Sequence, residues 1–152
     1  MQEIREWFDG PLLLSGSIAN GDAVLASQAM GADLAYIGSA FIATDEANAV
    51  QAYKQSVVDN NADDIVLSNL FTGVSGNYLK PSIEAAGLDP SNLPTSDASK
   101  MSFGSGGESD SKAWKDIWGC GQGIGAVKSV QTTEALVGRL SAEYRAAKSR
   151  LR

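Results

Sequence analysis

The chain has 152 residues and carries 12 lysines and arginines against 18 aspartates and glutamates, a formal charge of −6. That length allows one domain with a real core, while the acidic balance argues against a nucleic-acid partner held through phosphates and against an anionic membrane surface. With no histidine and a single cysteine, Cys120, the chain has no internal disulfide, no Ser-His or Cys-His pair and no usual ligand set for a transition metal, so no metal site is expected.

At the N-terminus, Gln2 to Phe8 reads as the tail of a helix with Ile4, Trp7 and Phe8 on one side, broken by Asp9-Gly10-Pro11. The chain therefore reads as starting within an architecture. No basic region followed by an apolar stretch precedes it, and no apolar run is long enough for a membrane span. With one unpaired thiol, this leads to the expectation of a cytoplasmic protein.

The stretch PLLLSGSIANGDAVLASQAMGADLAYIGSAF, residues 11–41, reads as strand, turn, helix, strand, turn. Leu12 to Leu14 and Leu34 to Ile37 are continuous apolar runs, the pattern of parallel strands covered on both faces. Asn20 is placed to cap the intervening helix and Gly31 to end it, with Leu25, Ala26, Ala29 and Met30 facing the sheet. The result is a right-handed βαβ unit.

Parallel strands put both following turns, Gly16-Ser17 and Gly38-Ser39, on one edge of the sheet. Glycine lets backbone N–H groups approach a ligand closely, and serine adds a hydroxyl. The N–H groups of Ser17, Gly38 and Ser39 are expected to be free there, so the two turns can cradle a phosphate. Short glycine motifs also match by accident, and ordinary strand-to-helix turns remain the commoner reading of the spacing alone.

Thr44 is placed to cap the next helix, with Asp45 and Glu46 in its first turn and Val50, Tyr53 and Val57 on one side, ending near Asn60. Ile65 to Leu67 reads as a short extended stretch and Val74 to Asn77 as a turn. Asn77 to Ala86 reads as a helix with Pro81 in its first turn, ended by Gly87. Leu88 to Lys112 reads as a long surface loop or lid. Trp114 and Trp118 fall at helical spacing. Gly119, Gly121, Gly123 and Gly125 alternate around Gln122, which does not match a dinucleotide fingerprint. The last segment, Gln131 to Arg152, is the clearest helix. Thr132 or Thr133 caps it, Leu136, Leu140, Tyr144, Ala147 and Leu151 form its apolar stripe, and Lys148, Arg150 and Arg152 suit its C-terminal dipole.

Several of these segments carry a family resemblance. SGSIANGDAVLASQAMGADLAYIGSAFIATDEA, followed by AYKQ, DDIVLSNLFTG and WGCGQGIG in that order, resembles the late barrel segment of the nitronate monooxygenases. Ser17 stands where that family usually has glycine, Ser39 where it often has threonine and Ala40 where it often has arginine.

The resemblance implies an α/β fold: the C-terminal part of a (β/α)8 TIM barrel, its last βαβ unit, plus a helical C-terminal region. On this reading 1–60 holds the last βα units of the FMN-binding barrel, 61–130 the linking helices and long loop, and 131–152 the C-terminal helix. The implied cofactor is FMN, with its phosphate at Gly16, Ser17, Gly38 and Ser39, Tyr36 and Ile37 along the ribityl chain, and Gln122 and Gly123 near the flavin. The implied reaction is oxidation of alkyl nitronates by dioxygen. The family's catalytic base is a histidine from an earlier part of the barrel. None is present here, so no catalytic residue is assigned and the chain alone is expected to be inactive.

Two alternatives stand beside this reading. One is a related FMN-dependent reductase, similar to enoyl-acyl carrier protein reductases. The other is an inactive truncated fragment whose open strand edges would favour self-association.

Overall fold

The computed structural model describes residues 1–96 and 116–151. Helix α1 (Gln2–Arg5) leads to strand β1 (Leu13–Ser15), helix α2 (Gly21–Ala29) and strand β2 (Leu34–Tyr36). The strands pair in parallel, Leu13 with Leu34, Leu14 with Ala35 and Ser15 with Tyr36. This is the βαβ unit read from the sequence. Asn20 caps α2, its Oδ1 accepting from Ala23 N at 2.8 Å. Gly31, at φ +94°, turns the chain out of the helix.

A side-chain clamp fixes the start of both strands. Arg5 donates to Gly10 O at 2.8 Å and to Gly31 O at 3.1 and 3.2 Å, and pairs with the Asp33 carboxylate. Asp33 Oδ2 also accepts from Leu12 N at 2.8 Å.

Two expectations for this unit fail. The sheet is covered on one face only: Leu13, Leu34 and Tyr36 are 49%, 55% and 61% exposed, because α2 and its neighbours pack on the opposite side. Nor do Leu25, Ala26, Ala29 and Met30 form the buried face of α2. Leu25 is half-buried and the other three are exposed, while Gly21 and Ser27 are buried. The reason is the C-terminal helix, which packs on the Gly21 side of α2 and sets which face is hidden.

After β2 come the short helix α3 (Ser39–Ile42) and helix α4 (Gln51–Asp59). Thr44 does not cap α4, which starts after Val50 with no side-chain cap. Thr44 is buried and donates to Phe41 O at 2.8 Å. Glu46, expected in the first turn of α4, serves a different helix. Its carboxylate accepts from Thr133 N at 2.8 Å and from Thr133 Oγ1 at 2.9 Å, at the start of helix α6 (Thr133–Arg150).

Strand β3 (Ile65–Ser68) pairs antiparallel with strand β4 (Gly76–Leu79), Ile65 opposite Leu79. Residues 77–79 are therefore strand, where the sequence reading has helix. Partners that local pattern does not show fix this segment: β3 on one side and the backbone of Trp118 and Cys120 on the other, through Leu79 N to Trp118 O at 2.8 Å and Cys120 N to Asn77 O at 3.2 Å. Helix α5 (Lys80–Ala85) follows, with Pro81 in its first turn. The expected loop or lid overlaps residues outside the described part, as do Trp114 and Arg152.

Helix α6 has Thr132 as its cap, Oγ1 accepting from Ala135 N at 3.1 Å. Leu136, Leu140 and Ala147 are buried as the stripe predicts, but Leu151 is 78% exposed, beyond the end of the helix. Leu136 and Leu140 join Ala40, Val57, Leu79 and Ile124 in the main core, against which Ile37 and Phe41 pack.

Candidate functional site

The ends of β1 and β2 lie side by side, Ser15 opposite Tyr36. Beyond β1 the chain turns through Gly16 at φ +112° and Ser17 at φ +53°, and Ser17 is the one non-glycine residue at positive φ among the described residues. Beyond β2, Gly38 is the N-cap of α3. The two turns open into one cleft of about 220 Å3, lined by both turns, by Ser15 and Tyr36, and by Gly121 and Gly123.

A third segment closes the back of this cleft. Gly121 N donates to Ser39 Oγ at 2.7 Å. Gly123 lies so close to the first turn that a Cβ there would stand 2.8 Å from Ser17 C and 2.9 Å from Ser17 O. The same segment is anchored from behind. The Tyr53 hydroxyl donates to Gly119 O, and its ring stacks on Trp118 at 5.2 Å. Burial pushes the Tyr53 phenol and the Cys120 thiol each up to about 12, so both stay protonated near neutral pH and serve as packing rather than as reacting groups.

The cleft offers donors and little charge. Among the described residues, no hydrogen bond takes up the backbone N–H of Ser17, Gly38 or Ser39. Ser39 Oγ accepts from Gly121, which leaves its own proton free to donate. Among the described residues, no lysine, arginine, aspartate or glutamate lines the cleft. Arg139 stands behind it, donating to Ala19 O at 3.4 Å and to Glu143 Oε1 at 2.8 Å.

Glu143 Oε2 in turn accepts from Gly21 N at 2.8 Å. A carboxylate therefore already satisfies the first N–H of α2, and the donors left for a ligand belong to the two turns. Burial alone would raise the Glu143 pKa, but the Gly21 N–H and Arg139 outweigh it and hold the carboxyl below its ordinary range. In position and make-up the cleft has the backbone and hydroxyl donors that an oxyanion would need.

A Cβ added to Gly38 or Gly16 would meet no protein atom within 4 Å. At Gly38, which lines the cleft, such a Cβ would have open space among the described residues.

The structure brings Gly16, Ser17, Tyr36, Gly38, Ser39 and Gly123 together at the cleft. It does not bring Ile37 and Gln122 there. Ile37 packs against the main core, and Gln122 is exposed at the start of a 3-10 turn, Gln122–Ala126. Sequence reasoning passed over Ser15, Gly121 and Gly21. Gly121 belongs to the alternating glycines, and its signal was the even spacing with Gly123. Gly21 was marked by being glycine in a first helical turn, where nothing local demands one. No group of three or more acidic, cysteine or histidine side chains that could hold a metal ion occurs among the described residues, nor is any helix there long and apolar enough to cross a membrane.

The family model described as nitronate monooxygenase matches residues 1–143. The chain is 35% identical over 65 residues to a probable nitronate monooxygenase of Staphylococcus haemolyticus, covering 43% of this chain and 18% of that protein. It is 35% identical over 63 residues to one from Staphylococcus saprophyticus, again covering 18% of the relative. Among solved structures it is similar to FabK from Thermotoga maritima, with TM-score 0.72 at 18% identity over 98% of this chain and 49% of that one. It is also similar to a nitroalkane oxidase from Streptomyces ansochromogenes, with TM-score 0.69 at 24% identity over 99% of this chain and 44% of that one. At such identities the structural matches speak to the fold, and this chain spans under half the length of either.

Proposed function

Because this chain belongs to the nitronate monooxygenase family, we propose that it supplies the phosphate-holding part of an FMN site in an enzyme that oxidises alkyl nitronates with dioxygen. The observation that carries the proposal is the shared cleft: two turns from paired parallel strands present unpaired N–H groups to one open space. In this reading β1 and β2 are the last two strands of a (β/α)8 barrel, where loops after the final strands and a short extra helix commonly hold phosphate. Helix α3, capped by Gly38, is that extra helix.

The roles of this chain's own residues follow from their chemistry. Ser17, Gly38 and Ser39 donate backbone N–H groups to the phosphate, and bonds to a charged acceptor are roughly twice as strong as neutral ones. The Gly121–Ser39 bond and the Gly123 contact hold the two turns at fixed separation. Tyr36 also lines the cleft, and in this reading it meets the part of the cofactor beyond the phosphate. When bound, the isoalloxazine supplies the electron chemistry, while the protein binds, orients and excludes water. Among the described residues the cleft lining holds no carboxylate or lysine to take a substrate proton, and in this reading its part is to hold the cofactor.

The test is a pair of titrations of the chain, with FMN and with riboflavin, followed by flavin fluorescence and native mass measurement. FMN should bind at one per chain and riboflavin, which lacks the phosphate, at least roughly ten-fold more weakly, as loss of charge-assisted bonds requires. Equal affinities would show that the cleft does not read phosphate.

A further inference from the structure

Ser17 adopts a backbone conformation that its residue type disfavours, and nothing around it explains why a side chain is there. Its φ is +53°, next to Gly16 at +112°. Non-glycine residues at positive φ are uncommon, and those that occur are mostly asparagine or aspartate, whose side chains bond locally to the backbone. Ser17 forms no such bond among the described residues, and its side chain is exposed at the cleft. Packing does not call for it either, since Gly123 meets the backbone of Ser17 and not its hydroxyl. By backbone conformation alone, glycine would be the easier residue here.

Across the same cleft stands Ser39, whose oxygen is engaged by Gly121 N and whose proton is free. Two hydroxyl-bearing residues thus line one space that, among the described residues, no cationic side chain lines. Resting on the phosphate-cradle reading, we propose that the Ser17 hydroxyl is a specificity-determining donor to a phosphate monoester dianion, and that the strained conformation is kept for that bond. A lining of neutral donors, with no carboxylate acceptor among the described residues, favours the fully deprotonated phosphate. Binding should therefore weaken as pH falls through the ligand's second ionisation near 6. Strain at a ligand contact is one of the recognised places where backbone cost persists.

The test compares the full chain with Ser17→Gly and Ser17→Ala, using FMN and riboflavin affinity at pH 8 together with thermal unfolding. Ser17→Gly should raise the unfolding midpoint, by a few degrees at most for a chain of this size. Both variants should lose roughly ten-fold in FMN affinity, with riboflavin affinity little changed. A Ser17→Gly variant that keeps the parent's preference for FMN would overturn the inference while leaving the cradle reading intact. So would loss in Ser17→Ala alone, which would point to backbone placement and not to the hydroxyl. A parent chain that does not distinguish FMN from riboflavin would bring down both. Thermal stabilisation by inorganic phosphate alone, present in the parent and reduced in both variants, supports the inference without flavin.

Discussion

A Cβ on Gly21 would stand 2.2 Å from the backbone nitrogen of Tyr144 and 2.4 Å from the carbonyl oxygen of Leu140. Helices α2 and α6 therefore touch backbone to backbone at this point, and their neighbours exploit the approach. Glu143 accepts the Gly21 N–H, and the Tyr144 hydroxyl donates to Gln28 Oε1 at 2.7 Å.

Gly21→Ala should accordingly destabilise the protein. Helix propensity favours alanine by up to about 1 kcal/mol, but the clash is with main chain that cannot rotate away. Overpacking of this kind costs about 1–3 kcal/mol or more. Urea unfolding of the variant checks the sign: a midpoint at or above the parent's would mean that the two helices part easily.

Leucines of the same helix should differ sharply according to burial. Leu136 is 1% exposed, so Leu136→Ala should cost about 2–5 kcal/mol. Leu151, 78% exposed, should tolerate alanine within about 0.5 kcal/mol. Matched unfolding curves for the two variants make the comparison.

At the cleft, Gly38→Val should leave the fold intact and weaken FMN far more than Ser39→Ala. The space beside Gly38 is empty of protein atoms, and the valine would occupy it. Ser39→Ala removes one hydroxyl and the acceptor of the Gly121 N–H, an effect on the order of ten-fold. Flavin titration of both variants reads the difference, with far-UV circular dichroism to confirm folding. Parent-like FMN affinity in Gly38→Val would place the phosphate elsewhere.

Three carboxylates make the fold sensitive to acid. Asp33 is held below its ordinary value of 3.8, first by the Leu12 N–H and then by Arg5. Glu46 is held below 4.5, first by the Thr133 N–H. Glu143 is also lowered, the Gly21 N–H and Arg139 outweighing its burial. Because each folded-state value lies below the unfolded one, the stabilisation is complete above the unfolded values. It is lost as pH falls through the lower folded ones. Urea midpoints should therefore hold from pH 7 down to about 5 and drop below about 4. Glu46→Gln should lower the midpoint at pH 7 and flatten the acid limb. An unchanged acid limb would mean that Glu46 titrates alike in the folded and unfolded chain.

The βαβ unit could be read from the sequence because its signals are local: apolar runs of strand length, an asparagine at the helix start, and glycines at both kinds of turn. The cleft followed from the same signals, since parallel strands bring successive turns to one edge. What could not be read depends on partners far along the chain. Asn77 to Leu79 carries no strand pattern of its own and becomes β4 through β3 and Trp118. Thr44 and Glu46 look like the start of the nearest helix, yet Glu46 serves Thr133, 87 residues on. Ile37 sits one residue before a cleft-lining turn, and the alternation of a strand sends it into the core instead. The buried side of α2 was misjudged because its apolar positions do not mark it. A glycine and a serine do, chosen by the helix that lies across them.

Glu143 lies 122 residues beyond the Gly21 N–H that it receives. During synthesis, then, α2 leaves the ribosome with its first donor unclaimed and its closest groove unfilled. The turn that carries Gly16 and Ser17 runs straight into that helix. Domains generally fold as units during synthesis, and the contacts of Gly21 tie α2 to a helix far along the chain. The final placement of the first turn therefore depends on a helix made long after the strands.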